Sequence, residues 1–304
     1  MTTLADAFKA LEDDYVERMT TMNKTSFPIH VDRNVSPSHF AGSRLAVTSI
    51  FRTIQGEGPF AGYPATFLRM AGCNLGAKKD CPFCDTYFAV DEAKSMTVTD
   101  VEAELYRLMS TEAKRDFIVV TGGEPLLQWS NIVRLITQRD ERVRMPTTWQ
   151  FETNGYYLRR ELLKEALELD TALGVGELAF VVSPKVSSTL GRYPDVDPAL
   201  YAKAHEAGLL YLKFVVSADA SNPYHELPSW LPLVDVLPQN VFISGMTCYD
   251  DPEQAAKPGT PARFSRFSPT AQAITLENNE YAAKLAIQHG YRFSLQSHLY
   301  AGIE

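Results

Sequence analysis

The sequence predicts an α/β protein with a mainly parallel sheet, and three observations carry that reading. Apolar, β-branched runs alternate with segments of helical periodicity from about Leu45 onward, as strands joined by crossover helices do. Polar signatures follow directly on the runs: Thr121-Gly122-Gly123-Glu124-Pro125 after FIVV, Glu152-Thr153-Asn154-Gly155 after TWQF, Ser183-Pro184-Lys185 after AFVV, and Ser244-Gly245-Met246 after VFI. No internal repeat or low-complexity tract interrupts the pattern. Functional residues gather at the carboxyl ends of strands in such folds, whether the sheet is open or rolled into a barrel. Both arrangements fit the pattern.

Taken in order, Leu4, Phe8, Leu11, Tyr15 and Met19 stand at helical spacing and predict an accessory helix over residues 1 to 23, followed by a Pro- and Ser-containing linker. LAVTSIFRT and ATFLRM then read as strands, followed by a helix over 99 to 113, the strand FIVV and a helix after Pro125. TWQFE, a helix over 157 to 169, LAFVVS, a helix over 198 to 206, LYLKFVV and VFIS continue the alternation. A helix over 270 to 288 and the strand YRFSLQ close it. The expected organisation is an extension over residues 1–44 and one catalytic domain over residues 45–304.

The chain has 304 residues, of which 45% are hydrophobic, enough for one large core. A net charge of −8 and a pI near 5.4 argue against direct nucleic-acid binding, which rests on clustered Lys and Arg, and favour a small-molecule substrate. No apolar run reaches the roughly 18 to 20 residues of a membrane span, and the first residues carry acids where a secretory leader is apolar. A cytoplasmic protein is expected.

Three of the four cysteines, Cys73, Cys81 and Cys84, fall on one predicted loop, and Cys248 stands apart. Thiolates suit iron–sulfur clusters, zinc or copper(I). Structural zinc usually takes four ligands, whereas a four-iron cluster held by three cysteines leaves one iron open. Spacing alone leaves both readings standing, because Cys81-x-x-Cys84 is also a zinc half-site. Cys248, after an apolar strand, reads as a packed small residue.

The loop with Gly72-Cys73-Asn74-Leu75 before it and Asp85-Thr86 after it, joined to Thr121-Gly122-Gly123-Glu124-Pro125, resembles the radical S-adenosylmethionine superfamily. Gln55-Gly56-Glu57-Gly58-Pro59, Phe67-Leu68-Arg69-Met70, Glu152-Thr153-Asn154-Gly155, Ser183-Pro184-Lys185 and Leu295-Gln296-Ser297-His298 are similar, in order, to the 7-carboxy-7-deazaguanine synthase family over residues 45 to 304. The resemblance implies a partial (β/α) barrel, the modified radical-SAM core. It also implies a 4Fe-4S cluster on Cys73, Cys81 and Cys84, with S-adenosylmethionine held by Asp85, Gly122, Gly123, Glu124, Ser183, Lys185 and Ser244. A pterin substrate would meet Gln55, Gly56, Glu57, Arg69 and Thr121, and Mg2+ would meet the Thr86 hydroxyl. Ring contraction of 6-carboxy-5,6,7,8-tetrahydropterin would follow, with electrons from a flavodoxin or ferredoxin-type donor and no side chain acting as nucleophile.

Two departures stand out. Seven residues separate Cys73 from Cys81 where the superfamily most often has three, and Ser244-Gly245-Met246 replaces the family's usual Gln-Pro-Met. A glycyl-radical activase and a zinc-stabilised binding module are the alternatives, and a homodimer is compatible with the resemblance.

Overall fold

The computed structural model describes residues 42–75, 81, 83–86, 89, 93–109, 116–138, 147–174, 176–188, 190–250 and 263–303. The expected accessory helix over residues 1 to 23 and the loop insertion at residues 76–80 lie outside the described residues. Strands β1 (Arg44–Ile54), β2 (Pro64–Met70), β3 (Lys94–Thr97), β4 (Asp116–Gly122), β5 (Thr147–Thr153), β6 (Leu178–Val182), β7 (Leu210–Val216), β8 (Val241–Gly245) and β9 (Arg292–Phe293) form one sheet. Its order is β3-β1-β2-β4-β5-β6-β7-β8-β9. Neighbours from β2 to β9 are parallel, and β1 runs antiparallel to both β2 and β3. The order is linear, so the barrel stays open between β3 and β9.

Helices α1 (Val98–Leu108), α2 (Trp129–Thr137), α3 (Arg160–Leu173), α4 (Pro198–Glu206), α5 (Pro269–His289) and α6 (Ser297–Ala301) complete the fold. Their starts are written locally. Thr97 and Asp100 form a reciprocal capping box ahead of α1, worth about 1 kcal/mol by analogy with measured caps. Asp197 caps α4 and Ser268 caps α5, each followed by a proline whose missing N–H costs nothing at a first helical position. Gly290, left-handed at φ 71°, ends α5. The strand β3 is absent from the expected elements: KSMT has no apolar alternation, and it is a strand because it pairs with β1 and because Arg44 Nε donates to Ser95 Oγ at 2.8 Å.

Strand alternation sorts side chains onto two faces. On the helix-covered face Trp149, Phe151, Phe180 and Phe214 are fully buried, with the Trp129 ring 5.5 Å from Phe151 and 5.9 Å from Phe180. Burying such side chains contributes about 1.5–3 kcal/mol each. The other face carries Phe67 and Arg69 of β2, Thr121 of β4, Glu152 of β5, and Lys213 and Val215 of β7. Phe60, on the turn Gly58–Phe60, packs 4.9 Å from Phe117 and 5.7 Å from Tyr211 beneath them.

Candidate active site

The polar ends of these strands open into one cleft. Gln55, Gly56, Glu57, Arg69, Cys73, Cys81, Cys84, Asp85, Thr86, Thr121, Gly122, Gly123, Ser183, Lys185 and Ser244 all line it. Of the residues expected from sequence to bind cluster, S-adenosylmethionine, substrate or Mg2+, Glu124 alone does not. Cys248 lies elsewhere, its backbone N–H donating to Thr275 Oγ1 of α5 at 3.0 Å.

The cysteine loop leaves β2 and returns beneath the Gly122-Gly123 turn. Gly72 N–H donates to Ala89 O at 3.0 Å, Ala89 N–H to Thr86 O at 2.8 Å, and Cys84 N–H to Cys81 O at 3.1 Å, which folds the loop on itself. Burial pushes the Cys73 thiol up to about 12 and adds to the rise at Cys81, whose main cause is its hydrogen bond with Cys84; that same bond lowers Cys84. Metal binding must therefore expel protons from this loop. Among the described residues no three His, Cys, Asp or Glu side chains converge on one metal-ion position. A four-iron cluster asks less of them, since each thiolate takes a different iron. Three soft donors on one cleft wall fit such a cluster.

The two glycines hold this side of the cleft together by close backbone approach. A Cβ on Gly122 would fall 2.0 Å from Met70 O, and one on Gly123 would fall 1.9 Å from Gly72 O. Their closeness permits Gly123 N–H to donate to Met70 O at 3.0 Å and Glu124 N–H to Gly72 O at 2.8 Å. Glu124 turns away from the cleft and is fully buried. Its carboxylate accepts from Leu126 N–H (3.0 Å), Thr153 Oγ1–H (2.8 Å) and Asn154 N–H (2.8 Å), tying the glycine turn to the loop after β5. Burial pushes its carboxyl up to about 7 despite these donors. Across the cleft Lys185 Nζ donates to Ser183 O and Ser183 Oγ, both at 2.7 Å. Ser244 Oγ is buried on the cleft wall without a hydrogen-bond partner among the described residues, which suits a polar ligand there.

On the opposite side Arg69 is 8% exposed, its guanidinium 4.6 Å from the Phe51 ring centroid and Nη1 3.4 Å from Ser49 Oγ. Thr86 Oγ1 donates to Gly122 O at 3.2 Å. Several wall residues were not picked out by sequence reasoning. Lys213 Nζ lies 3.0 Å from Glu57 Oε1 and 3.0 Å from Glu152 Oε2. Glu152 Oε1 accepts from the amides of Gln55, at 3.2 Å, and Gln150. Burial works to raise Glu57, but Lys213, His298 and Lys185 bring its carboxyl below the usual range; burial lifts Glu152, which shares the same ammonium. The available signal was a lone Lys inside the apolar run LYLKFVV, since a charge is seldom buried unpaired in a covered strand.

The segment after β9 completes the wall. Ser297 N–H and Oγ–H donate to Gly56 O at 3.0 and 2.8 Å, and Gly58 N–H donates to Ser294 Oγ at 2.9 Å. Gln296 Nε2 donates to Asp85 Oδ2 at 3.2 Å and Gln296 Oε1 accepts from Thr247 Oγ1. His298 packs so closely that a Cβ on Gly56 would meet its Nδ1 at 2.2 Å.

A three-thiol loop and a glycine turn at the strand ends of an open parallel barrel define a radical S-adenosylmethionine protein, and residues 68–176 match the model of the Radical SAM superfamily. The chain is 32% identical over 267 residues to the 7-carboxy-7-deazaguanine synthase of Rickettsia prowazekii, covering 86% of this chain and 90% of that one. It is likewise 32% identical over 262 residues to that of Rhodospirillum rubrum, covering 84% and 92%. The chain belongs to the 7-carboxy-7-deazaguanine synthase family. The crystal structure of QueE from Escherichia coli shares the fold at a TM-score of 0.50 and 18% identity, over 88% of this chain and 100% of that one.

Proposed function

We propose that the chain contracts 6-carboxy-5,6,7,8-tetrahydropterin to 7-carboxy-7-deazaguanine, a carbon–nitrogen lyase step of deazapurine biosynthesis. The observation that supports it best is the meeting of Arg69, Thr86, Thr121 and the three cysteines in one cleft of a chain 32% identical to named synthases over most of its length. Membership in the superfamily implies a 4Fe-4S cluster and S-adenosylmethionine. Together these supply a 5′-deoxyadenosyl radical.

The protein's own part is binding, orientation and exclusion of water. Cys73, Cys81 and Cys84 hold the cluster; Asp85, Gly122, Gly123, Ser183, Lys185 and Ser244 hold S-adenosylmethionine, with Glu124 fixing the turn that carries the glycines. Arg69 receives the substrate carboxylate, a planar match that Lys would not reproduce. Gln55, Gly56, Glu57 and Thr121 meet the pterin ring. Thr86 offers its hydroxyl to Mg2+, which favours oxygen donors and keeps most of its waters. A flavodoxin or ferredoxin-type protein donates electrons, residues 45–304 carry the reaction, and free thiols of this kind belong in a reducing compartment such as the cytoplasm.

The test is anaerobic turnover of 6-carboxytetrahydropterin with S-adenosylmethionine and dithionite, following the deazapurine by mass. Arg69→Ala is expected to raise KM by orders of magnitude, since losing one partner of a desolvated charge pair costs about 2–5 kcal/mol. Thr86→Val is expected to lose Mg2+ stimulation while abortive S-adenosylmethionine cleavage persists. A parent protein that cleaves S-adenosylmethionine and leaves the pterin unchanged would refute the substrate and keep the superfamily.

A further inference from the structure

Lys213 sits in the middle of β7, 6% exposed, on the cleft face of a strand whose alternate residues Leu210, Leu212, Phe214 and Val216 fill the core. Its ammonium bridges two carboxylates that arrive from different parts of the sheet, Glu57 from the loop after β1 and Glu152 from β5. All three line the cleft. A buried ion group of this kind is a poor stability device, because well-packed apolar residues serve as well or better. Its net charge of about −1 and its position at the cleft wall point instead to a ligand.

The oxygen bookkeeping supports this. Glu152 is fully engaged, Oε1 by the Gln55 and Gln150 amides and Oε2 by Lys213. Glu57 uses Oε1 on Lys213, and Oε2 carries no hydrogen bond among the described residues. Without the ammonium, two carboxylates drawn to one point in a buried site would not both stay ionised, and one would take up a proton. A protonated acid presents a donor where the site now presents an acceptor.

We infer that Lys213 is a positioning residue for substrate selection: it holds Glu57 ionised, aimed and braced against Glu152, so that the cleft accepts a ring edge rich in N–H donors. This rests on the pterin reading above and deepens it. The edge favoured is a 2-amino-4-oxo pyrimidine, whose amino and ring N–H groups both point outward. A 2,4-dioxo edge, with an oxygen in place of the amino group, would face the Glu57 carboxylate with an acceptor and be rejected.

The experiment uses the anaerobic holoenzyme with S-adenosylmethionine and two fluorescent probes, pterin-6-carboxylate and lumazine-6-carboxylate, which differ at that one position. The parent is expected to prefer the pterin by at least about tenfold in Kd, as a lost charge-assisted hydrogen bond commonly gives. Lys213→Met should weaken pterin binding and bring the ratio close to one. Lys213→Met with Glu152→Gln restores the parent's net charge in the group; it should recover the melting temperature but not the preference, because Glu57 has lost its brace. Lys213→Met with the parent's ratio, or a double variant that regains it, would overturn the inference by reducing Lys213 to charge balance. A parent that turns over carboxytetrahydropterin yet binds both probes alike overturns the inference alone. A parent that neither turns over the pterin nor binds either probe overturns the functional reading and this inference with it.

Discussion

Gly123→Ala should unseat the cluster, although the added group is one methyl. The backbone at Gly123 does not have the positive φ that would strain an alanine, so conformation alone would favour the change by about 0.4–1 kcal/mol through the unfolded chain. Contact decides against it. The new Cβ would lie 1.9 Å from Gly72 O, where real Cβ contacts essentially never fall under 3.0 Å, so the two backbones must part by at least 3.0 − 1.9 = 1.1 Å. Gly72 is joined to Cys73, whose own N is 3.1 Å from that Cβ, so the ligand moves with it. Parting stretches Gly123 N–H to Met70 O (3.0 Å) and Glu124 N–H to Gly72 O (2.8 Å), and each buried group left unpaired costs about 1–3 kcal/mol. The net loss is about 2–5 kcal/mol, a fall in melting temperature on the order of 3–8 °C for a chain of 304 residues. Iron per chain after anaerobic reconstitution should drop with it. Full iron loading with the parent's S-adenosylmethionine affinity would refute the close-approach argument.

Alanine at Cys73, Cys81 or Cys84 should abolish iron binding, read by iron analysis and the visible absorbance of the reconstituted protein, whereas Cys248→Ala should load like the parent. Glu124→Gln gives a pH signature in thermal melts. The folded carboxyl at about 7 lies above its ordinary 4.5, so the parent binds an extra proton when folded and loses that contribution as pH rises from about 4.5 to 7. The variant lacks this slope, so its stability deficit should narrow by up to about 3 kcal/mol between pH 5 and 8, and parallel melting curves would contradict the assignment. A chain beginning near Ser43 should keep cluster and turnover, because no proposed ligand precedes residue 44; a cluster-loaded but inactive truncation would show otherwise.

The sequence made legible what short-range chemistry dictates. Seven strands were placed within a few residues, with LYLKFVV matching β7 at Leu210–Val216, and the helix expected over 198 to 206 is α4 at Pro198–Glu206. Fixed φ at Pro198 and the Asp197 cap left little room for error there. The helix expected over 99 to 113 ends earlier, at Leu108 as described, where Met109 turns to extended backbone. YRFSLQ yields only Arg292–Phe293 as strand before the chain turns into α6. What could not be read were pairings between distant segments. Lys213 was visible as an odd residue in an apolar strand, but its partners Glu57 and Glu152 belong to other elements and only the sheet order brings them together. Glu124 was legible as part of a motif, but not its direction. Its turn into the loop after β5 depends on Thr153 and Asn154 being there to donate.

An unclosed barrel explains why so much polar chemistry is concentrated after β9. Strand pairing fixes the mouth between β2 and β8, but nothing in the sheet fixes the distance from β9 back to the loop after β1. That gap is spanned by side chains: Ser294 and Ser297 bind Gly58 and Gly56, and Gln296 reaches both Asp85 beside Cys84 and Thr247 after β8. The loop so held is the one that carries Gln55 and Glu57, and Glu57 is in turn fixed by Lys213. The loop that carries Gln55 and Glu57, the cysteine loop and the far sheet edge are thus joined by short, directional contacts. The proposed radical chemistry needs its target atom held within about 0.5 Å, and a mouth closed by side chains rather than by an eighth parallel strand can supply that while leaving the cleft open to the proposed substrate.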